Sequence, residues 1–178
     1  MPYVTVFDMI FEKFGKEKID YILVGGFAVN AYGVSRHTGD IDFLISDDDY
    51  SKVKKMLLEL GYRENMKEVL FARFVSDDPK LWDLDLLLVD RQTLKGIYRN
   101  GKSTQVSGHS FIVPSLDHLI ALKLHAIKNN PAGREFKDMP DIIQLIKMNK
   151  IDPSAHSFKD LCLKYGTQAL YAKIVKLL

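Results

Sequence analysis

Apolar residues recur along this chain at two spacings, and the alternation between them lays out its elements. Phe7, Ile10, Phe11 and Phe14 fall at helical intervals among charged residues, predicting an amphipathic helix over residues 6–18 with an aromatic core face and a stop near Gly15. Residues 21–24 form an apolar run too short for a helix and suited to a central strand. Gly25 and Gly26 make a turn, and FAVNAYG fits a short helix with Phe27, Ala28 and Ala31 turned inward. A polar loop over residues 34–39 then leads into GDIDFLI, where polar and apolar positions alternate. A period of two sends Asp40 and Asp42 to one face of that strand and Ile41 and Phe43 to the other.

Helical spacing returns in SDDDYSKVKKMLLELG, with Ser46 or an aspartate as cap, Val53, Met56, Leu57 and Leu60 as the buried stripe, and Gly61 as the stop. A strand over residues 69–75, a DDPK turn and the strand LWDLDLLLVD follow. In that last strand Asp83 and Asp85 share a face with Leu81, Leu87 and Val89, while Leu84, Leu86 and Leu88 take the other. Burying a bare carboxylate there is costly, so at least one of the two acids requires a compensating cation or donor. Residues 91–110 are polar and basic and read as a hairpin or a short helix with a loop. FIV gives a brief strand, Pro114 a turn, and Leu116, Leu119, Ile120, Leu122 and Leu124 the apolar positions of a helix. NNPAGREFKDM breaks that pattern, a helix resumes at Pro140, and one or two helices close the chain.

Composition narrows the class without choosing a function. A chain of 178 residues can bury roughly two-thirds of its unfolded surface. The expectation is a single domain over residues 1–178, with 115–178 as a mainly helical portion. A hydrophobic share of 47% and a charged share of 27% are ordinary for a globular protein. The net charge of +2 names no partner, but its distribution is uneven. Asp40, Asp42 and Asp47 to Asp49 crowd one stretch, whereas Arg91, Lys95, Arg99, Lys102, Lys123, Lys128, Arg134 and Lys137 accumulate later. An acidic centre facing a basic wall suits a polyphosphate ligand, and two unrelated solvated faces would give the same pattern. Cys162 is the only cysteine and reads as a small buried hydrophobe. No run is long enough to span a bilayer and the N-terminus lacks a basic start, so a cytoplasmic protein with no membrane partner is expected.

The aspartates carry the chemistry. A same-face carboxylate pair repels itself unless a cation or proton lies between its members, which points to a divalent metal. Magnesium prefers such hard oxygen ligands and commonly shares them with substrate phosphates. Glycines at Gly25 and Gly26 remove side-chain bulk that would keep a phosphate from the backbone. Arg36 either contacts a phosphate or folds back on an acidic neighbour. His37 has no second histidine at ligand spacing, and His118 and His125 lie two helical turns apart, too far for one metal without a bend.

The stretch LVGGFAVNAYGVSRHTGDIDFLI resembles the nucleotidyltransferase superfamily related to DNA polymerase beta. That pattern has Gly-Gly or Gly-Ser after an apolar residue, a spacer of about a dozen residues, and Asp-x-Asp or Asp-x-Glu. Gly25, Gly26, Asp40 and Asp42 match it residue by residue. The third acid of the family lies on a later strand, and Asp85 fits it best, with Asp83 in reserve. Gly39 stands where a serine often precedes the pair. The segment SLDHLIALKLHAIKNNPAGREFKDMPDIIQLI is similar to the bacterial branch that includes abortive-infection toxin nucleotidyltransferases. There Lys123 is expected near nucleotide phosphate, a snorkelling lysine being the alternative. Arg134, Lys137, Asp138 and Asp141 match an arginine and lysine-aspartate element, in which the acids orient Arg134, Lys123 or helix ends.

The resemblance implies an α/β fold of the α+β type: a small mixed β-sheet flanked by helices, with a C-terminal helical portion. It also implies transfer of a nucleoside monophosphate from an NTP, using two Mg²⁺ ions, with Mn²⁺ as the alternative, held by Asp40, Asp42 and Asp85. Gly25, Gly26, Arg36 and Lys123 would receive the nucleotide. The acceptor hydroxyl belongs to RNA, a protein or, in an aminoglycoside-type enzyme, a small antibiotic, and the toxin-antitoxin branch implies a cognate partner. A non-catalytic nucleotide-binding or toxin-antitoxin module is the rival reading, favoured if Asp83 and Asp85 both face away from Asp40 and Asp42.

Overall fold

Helix α1 (Val6–Lys16) begins almost at the start of residues 5–178, the part of the chain described by this computed structural model. Thr5 and Asp8 close a capping box at its N-terminus, with Asp8 Oδ2 accepting from the Thr5 amide at 2.7 Å. Phe7, Ile10 and Phe14 are buried as the spacing predicts. Phe11 is 43% exposed and stacks on the His109 ring at 4.5 Å. Strand β1 (Tyr21–Leu23), helix α2 (Gly25–Ala31) and strand β2 (Asp40–Ser46) follow, then α3 (Tyr50–Glu59), which buries Val53, Met56 and Leu57. Gly61 lies just beyond it at φ +92°, a conformation open to glycine. Next come β3 (Arg63–Lys67), β4 (Phe71–Val75), β5 (Asp83–Val89), α4 (Arg91–Arg99), β6 (Lys102–Val106) and β7 (His109–Val113).

Five strands form one sheet in the order β1-β2-β5-β4-β3, with β2 and β5 parallel and the other neighbours antiparallel. This is the expected small mixed sheet flanked by helices. On its buried face Ile41 lies opposite Leu84, Phe43 opposite Leu86 and Ile45 opposite Leu88. Phe14, Tyr21 and Phe111 close on Phe43, with ring centroids 5.5 to 6.4 Å from it. The polar segment after β5 holds both of the structures expected as alternatives, helix α4 and the β6-β7 hairpin. Strand β3 has no counterpart among the elements expected from the sequence, because it is a mostly exposed edge strand with Met66 as its one apolar residue and a bulge between Glu64 and Met66.

The chain divides into two compact units: the described residues up to Ala28 with His37–Pro114, and Val29–Arg36 with Ser115–Leu178. The second holds helices α5 (Leu116–Asn129), α6 (Pro131–Met148), α7 (His156–Tyr165) and α8 (Gln168–Leu177). Helix α6 corrects the expected break, starting at Pro131 and running through Pro140. Asn130 caps it by accepting from the Gly133 amide, and Pro131 sits at the first turn, where no amide partner is required. Pro140 leaves the carbonyl of Phe136 without its usual helical donor, but Phe136 is 68% exposed, so water can serve there. Cys162 is buried, which pushes its thiol up to about 11. No helix among the described residues is long and apolar enough to cross a membrane.

The two faces of α1 should separate in stability measurements. Phe14→Ala is expected to cost about 3–5 kcal/mol in urea unfolding, and Phe11→Ala about 1 kcal/mol or less. Equal losses would mean that Phe11 belongs to the core.

Candidate active site

Strand pairing assembles the acidic face. In the parallel ladder Asp40 lies opposite Asp83 and Asp42 opposite Asp85. Register partners on neighbouring strands project to the same side of a sheet, and alternate residues on one strand do likewise. All four carboxylates therefore share one face, and the condition that would have favoured the non-catalytic rival is not met. The amide of Val24 donates to the Asp42 carbonyl at 2.9 Å, extending the β1 pairing to the second aspartate.

Strand β4 adds a residue that the sequence motifs do not name. Arg73 lies opposite Asp85 in the antiparallel ladder. Its Nη2 donates to Asp83 Oδ2 at 3.1 Å and its Nη1 reaches Asp85 Oδ2 at 3.5 Å. Burial works against the guanidinium charge, but the hydrogen bond to Asp83 and the fields of Asp85, Asp83 and Asp40 outweigh it and raise its pKa. Asp85 is only 7% exposed, so Arg73 is the compensating cation that the apolar strand required. The phase of FARFV held the signal: Ala72 and Phe74 are buried on the opposite face, leaving Arg73 to project among the acids.

The glycine turn is shaped by the site's own side chains. Gly25 has φ +60°, and a Cβ there would fall 1.9 Å from Asp42 Oδ2. At Gly26 a Cβ would meet the Thr38 Cβ at 2.7 Å. Thr38 in turn donates from Oγ1 to the backbone oxygen of Asp40 at 3.0 Å and lies 3.2 Å from its Oδ1. Each glycine thus leaves room for a residue that forms or positions the carboxylate pair, a constraint separate from space for phosphate.

The remaining candidates form their own network in the second unit. Lys123, 6% exposed, donates from Nζ to Asp138 Oδ1 at 2.8 Å and to Asp141 Oδ2 at 2.7 Å. Its ammonium is buried between two carboxylates, so it does not snorkel. Arg36 Nε lies 3.1 Å from Asp141 Oδ1, and Arg134 Nε donates to Asp138 Oδ2 at 2.8 Å. Arg36 thus folds back on an acid, while Asn30 Nδ2 donates to its carbonyl and Asn30 Oδ1 accepts from its backbone amide. Asp138 and Asp141 orient Lys123 and Arg134, the role expected of them. Among the other basic residues, Arg91 binds Asp48 at 3.0 Å and Asp49 at 3.3 Å. His37 is exposed, and His118 Nδ1 lies 2.9 Å from Ser115 Oγ.

Asp40, Asp42 and Asp85 fit a hard divalent ion by donor type, offering carboxylate oxygens on adjoining strands. Among the described residues no three His, Cys, Asp or Glu side chains are gathered into a metal-holding group. Asp83 and Asp85 are instead drawn onto the guanidinium of Arg73.

Known proteins share this arrangement of strands and helices. The sequence profile of a family described as "uncharacterised nucleotidyltransferase" matches residues 4–178. No curated protein matches the chain. Among solved structures, the lincosamide antibiotic adenylyltransferase LnuA with lincomycin bound superposes with a TM-score of 0.58 at 16% identity, over 80% of this chain and 95% of that one. The antibiotic-resistance factor ANT(2'')-Ia gives 0.59 at 15% identity, over 97% and 91%. An antigenic nucleotidyltransferase-like protein from Paracoccidioides brasiliensis gives 0.55 at 16%, over 96% and 90%. The shared fold is that of the polymerase-beta-like nucleotidyltransferases.

The glycine constraint is directly testable. Gly25→Ala places a side chain at positive φ, costing about 1–2 kcal/mol before the displacement of Asp42 is added. Gly39→Ala, with nothing within 4 Å of the added carbon, should leave stability near that of the native chain. Urea unfolding compares them, and native stability in Gly25→Ala would contradict the packing of Asp42 against this turn.

Proposed function

The chain belongs to the family described as uncharacterised nucleotidyltransferase, and from that premise we propose that it moves a nucleoside monophosphate from an NTP to an acceptor hydroxyl. The observation that carries this reading is the register of β2 on β5, which sets Asp42 beside Asp85 on the acidic face. Asp40, Asp42 and Asp85 are assigned as the residues that hold the divalent cations, Mg²⁺ or Mn²⁺. Bound there, the cations supply charge to stabilise the attacking oxygen and the departing pyrophosphate.

The protein's own groups supply the rest. Thr38 steadies the Asp40 carboxylate, and Gly25 lets Asp42 pack against the turn. Asp85 is assigned the proton of the acceptor hydroxyl as its oxygen attacks the α-phosphorus. The motif around Lys123 resembles the abortive-infection toxin branch, which favours RNA or a protein as acceptor and a cognate antitoxin as partner. The fold shared with a lincosamide adenylyltransferase and an antibiotic-resistance factor supports a small antibiotic as the second acceptor class.

Incubation with each labelled NTP, Mg²⁺ or Mn²⁺, and separately total RNA, lysate protein, a lincosamide and an aminoglycoside distinguishes these acceptors. Exchanging Asp40 and Asp42 together for Asn should leave the circular dichroism spectrum unchanged. Labelling should fall on the order of 10²-fold or more, the scale of losing preorganised transition-state electrostatics. Labelling at the native rate would refute the assignment.

A further inference from the structure

We propose that Arg73 is the resident counter-cation of the acidic face, holding Asp85 in the nucleotide-free protein so that a divalent ion binds productively only together with the nucleotide. The inference rests on the proposed transfer reaction and adds to it an order of binding. A carboxylate as buried as Asp85 needs compensation by a cation or donor in every state of the protein, because an uncompensated buried charge is strongly unfavourable. In the structure that cation is a guanidinium, permanently charged and presented in a planar fork. A divalent ion arriving alone must compete with it for the Asp85 carboxylate and withstand repulsion from it. An ion arriving with a triphosphate brings negative charge that offsets this repulsion.

The two bonds of Arg73 differ in a way that makes such an exchange feasible. The contact to Asp83 is 3.1 Å, within the ordinary hydrogen-bond range, whereas that to Asp85 is 3.5 Å, at its outer edge. The side chains of Arg73 and Asp83 are 33% and 35% exposed, against 10% for Asp85. Asp83 is therefore the anchor and Asp85 the exchangeable partner. Rotation of the guanidinium toward Asp83 and solvent frees Asp85 without moving strand β4. This divides the labour between the two alternate acids of β5: Asp85 meets the metal, and Asp83 keeps the arginine. Arg73 is accordingly a positioning residue that acts through Asp85.

Mn²⁺ titration of the full-length protein without nucleotide, followed by the electron paramagnetic resonance signal of the free ion, tests this apart from activity. R73Q should bind Mn²⁺ at least about tenfold more tightly than the native chain, and D85N in the same chain should abolish the gain. D83N, in which the guanidinium falls wholly on Asp85, should bind Mn²⁺ at least about threefold more weakly. Equal affinity in native and R73Q protein, lost from both when Asp40 and Asp42 become Asn, overturns the role of Arg73 and leaves the transfer reaction standing. No Mn²⁺ uptake by R73Q at millimolar ion overturns the role of Arg73, and labelling from an NTP then decides the transfer reaction by itself. Should R73Q fail to fold by near-ultraviolet circular dichroism, R73M decides: tighter Mn²⁺ binding than the native chain supports the exchange, and unchanged or weaker binding overturns it.

Discussion

Seven residues of β2 lie beside seven of β5 in one parallel register, and this single alignment sets both the core and the candidate site. On one face it stacks Ile41 on Leu84, Phe43 on Leu86 and Ile45 on Leu88, all buried. On the other it must then bring Asp40 to Asp83 and Asp42 to Asp85. The acid pairs repel, so the contact is held by the apolar pairs behind them. A slip of one residue would turn carboxylates into the core, so the hydrophobic pattern protects the placement of the charged one. Arg73 offsets part of the remaining repulsion from the neighbouring strand.

Much of this is legible in the amino-acid order alone. The alternation in GDIDFLI and LWDLDLLLV carries the face of every acid, and the costly burial of an acid on β5 requires a cation or donor. What alternation cannot supply is which strand lies beside which. The identity of that cation depends on β4 lying against β5, a pairing between segments joined by a turn whose register no local signal states. Strand β3 escapes because it buries little, and α6 because Pro131 and Pro140 resemble breaks, although one suits a first turn and the other faces water across Phe136.

The glycine pair shows how a motif can be recognised for one reason and constrained by another. As a motif, Gly25 and Gly26 are expected to leave room for phosphate. In the folded chain a methyl group at either would also strike Asp42 or Thr38, so the turn and the carboxylates are coupled within the protein itself. Lys123, Arg36 and Arg134 carry a comparable lesson in the second unit. Each is already engaged by Asp138 or Asp141, and the positive charge that reads along the chain as a basic wall is there partly spent on internal acids.

The central claim is that Asp40, Asp42 and Asp85, aligned by one strand register, hold the cation that accompanies a nucleotide. Anomalous diffraction at the manganese edge, from crystals grown with Mn²⁺ and a non-hydrolysable ATP analogue, examines it most directly. The expected peak lies among those three carboxylates, with the guanidinium of Arg73 withdrawn to Asp83. A manganese peak bound by Asp83 in place of Asp85, or lying away from β2 and β5 altogether, would contradict it.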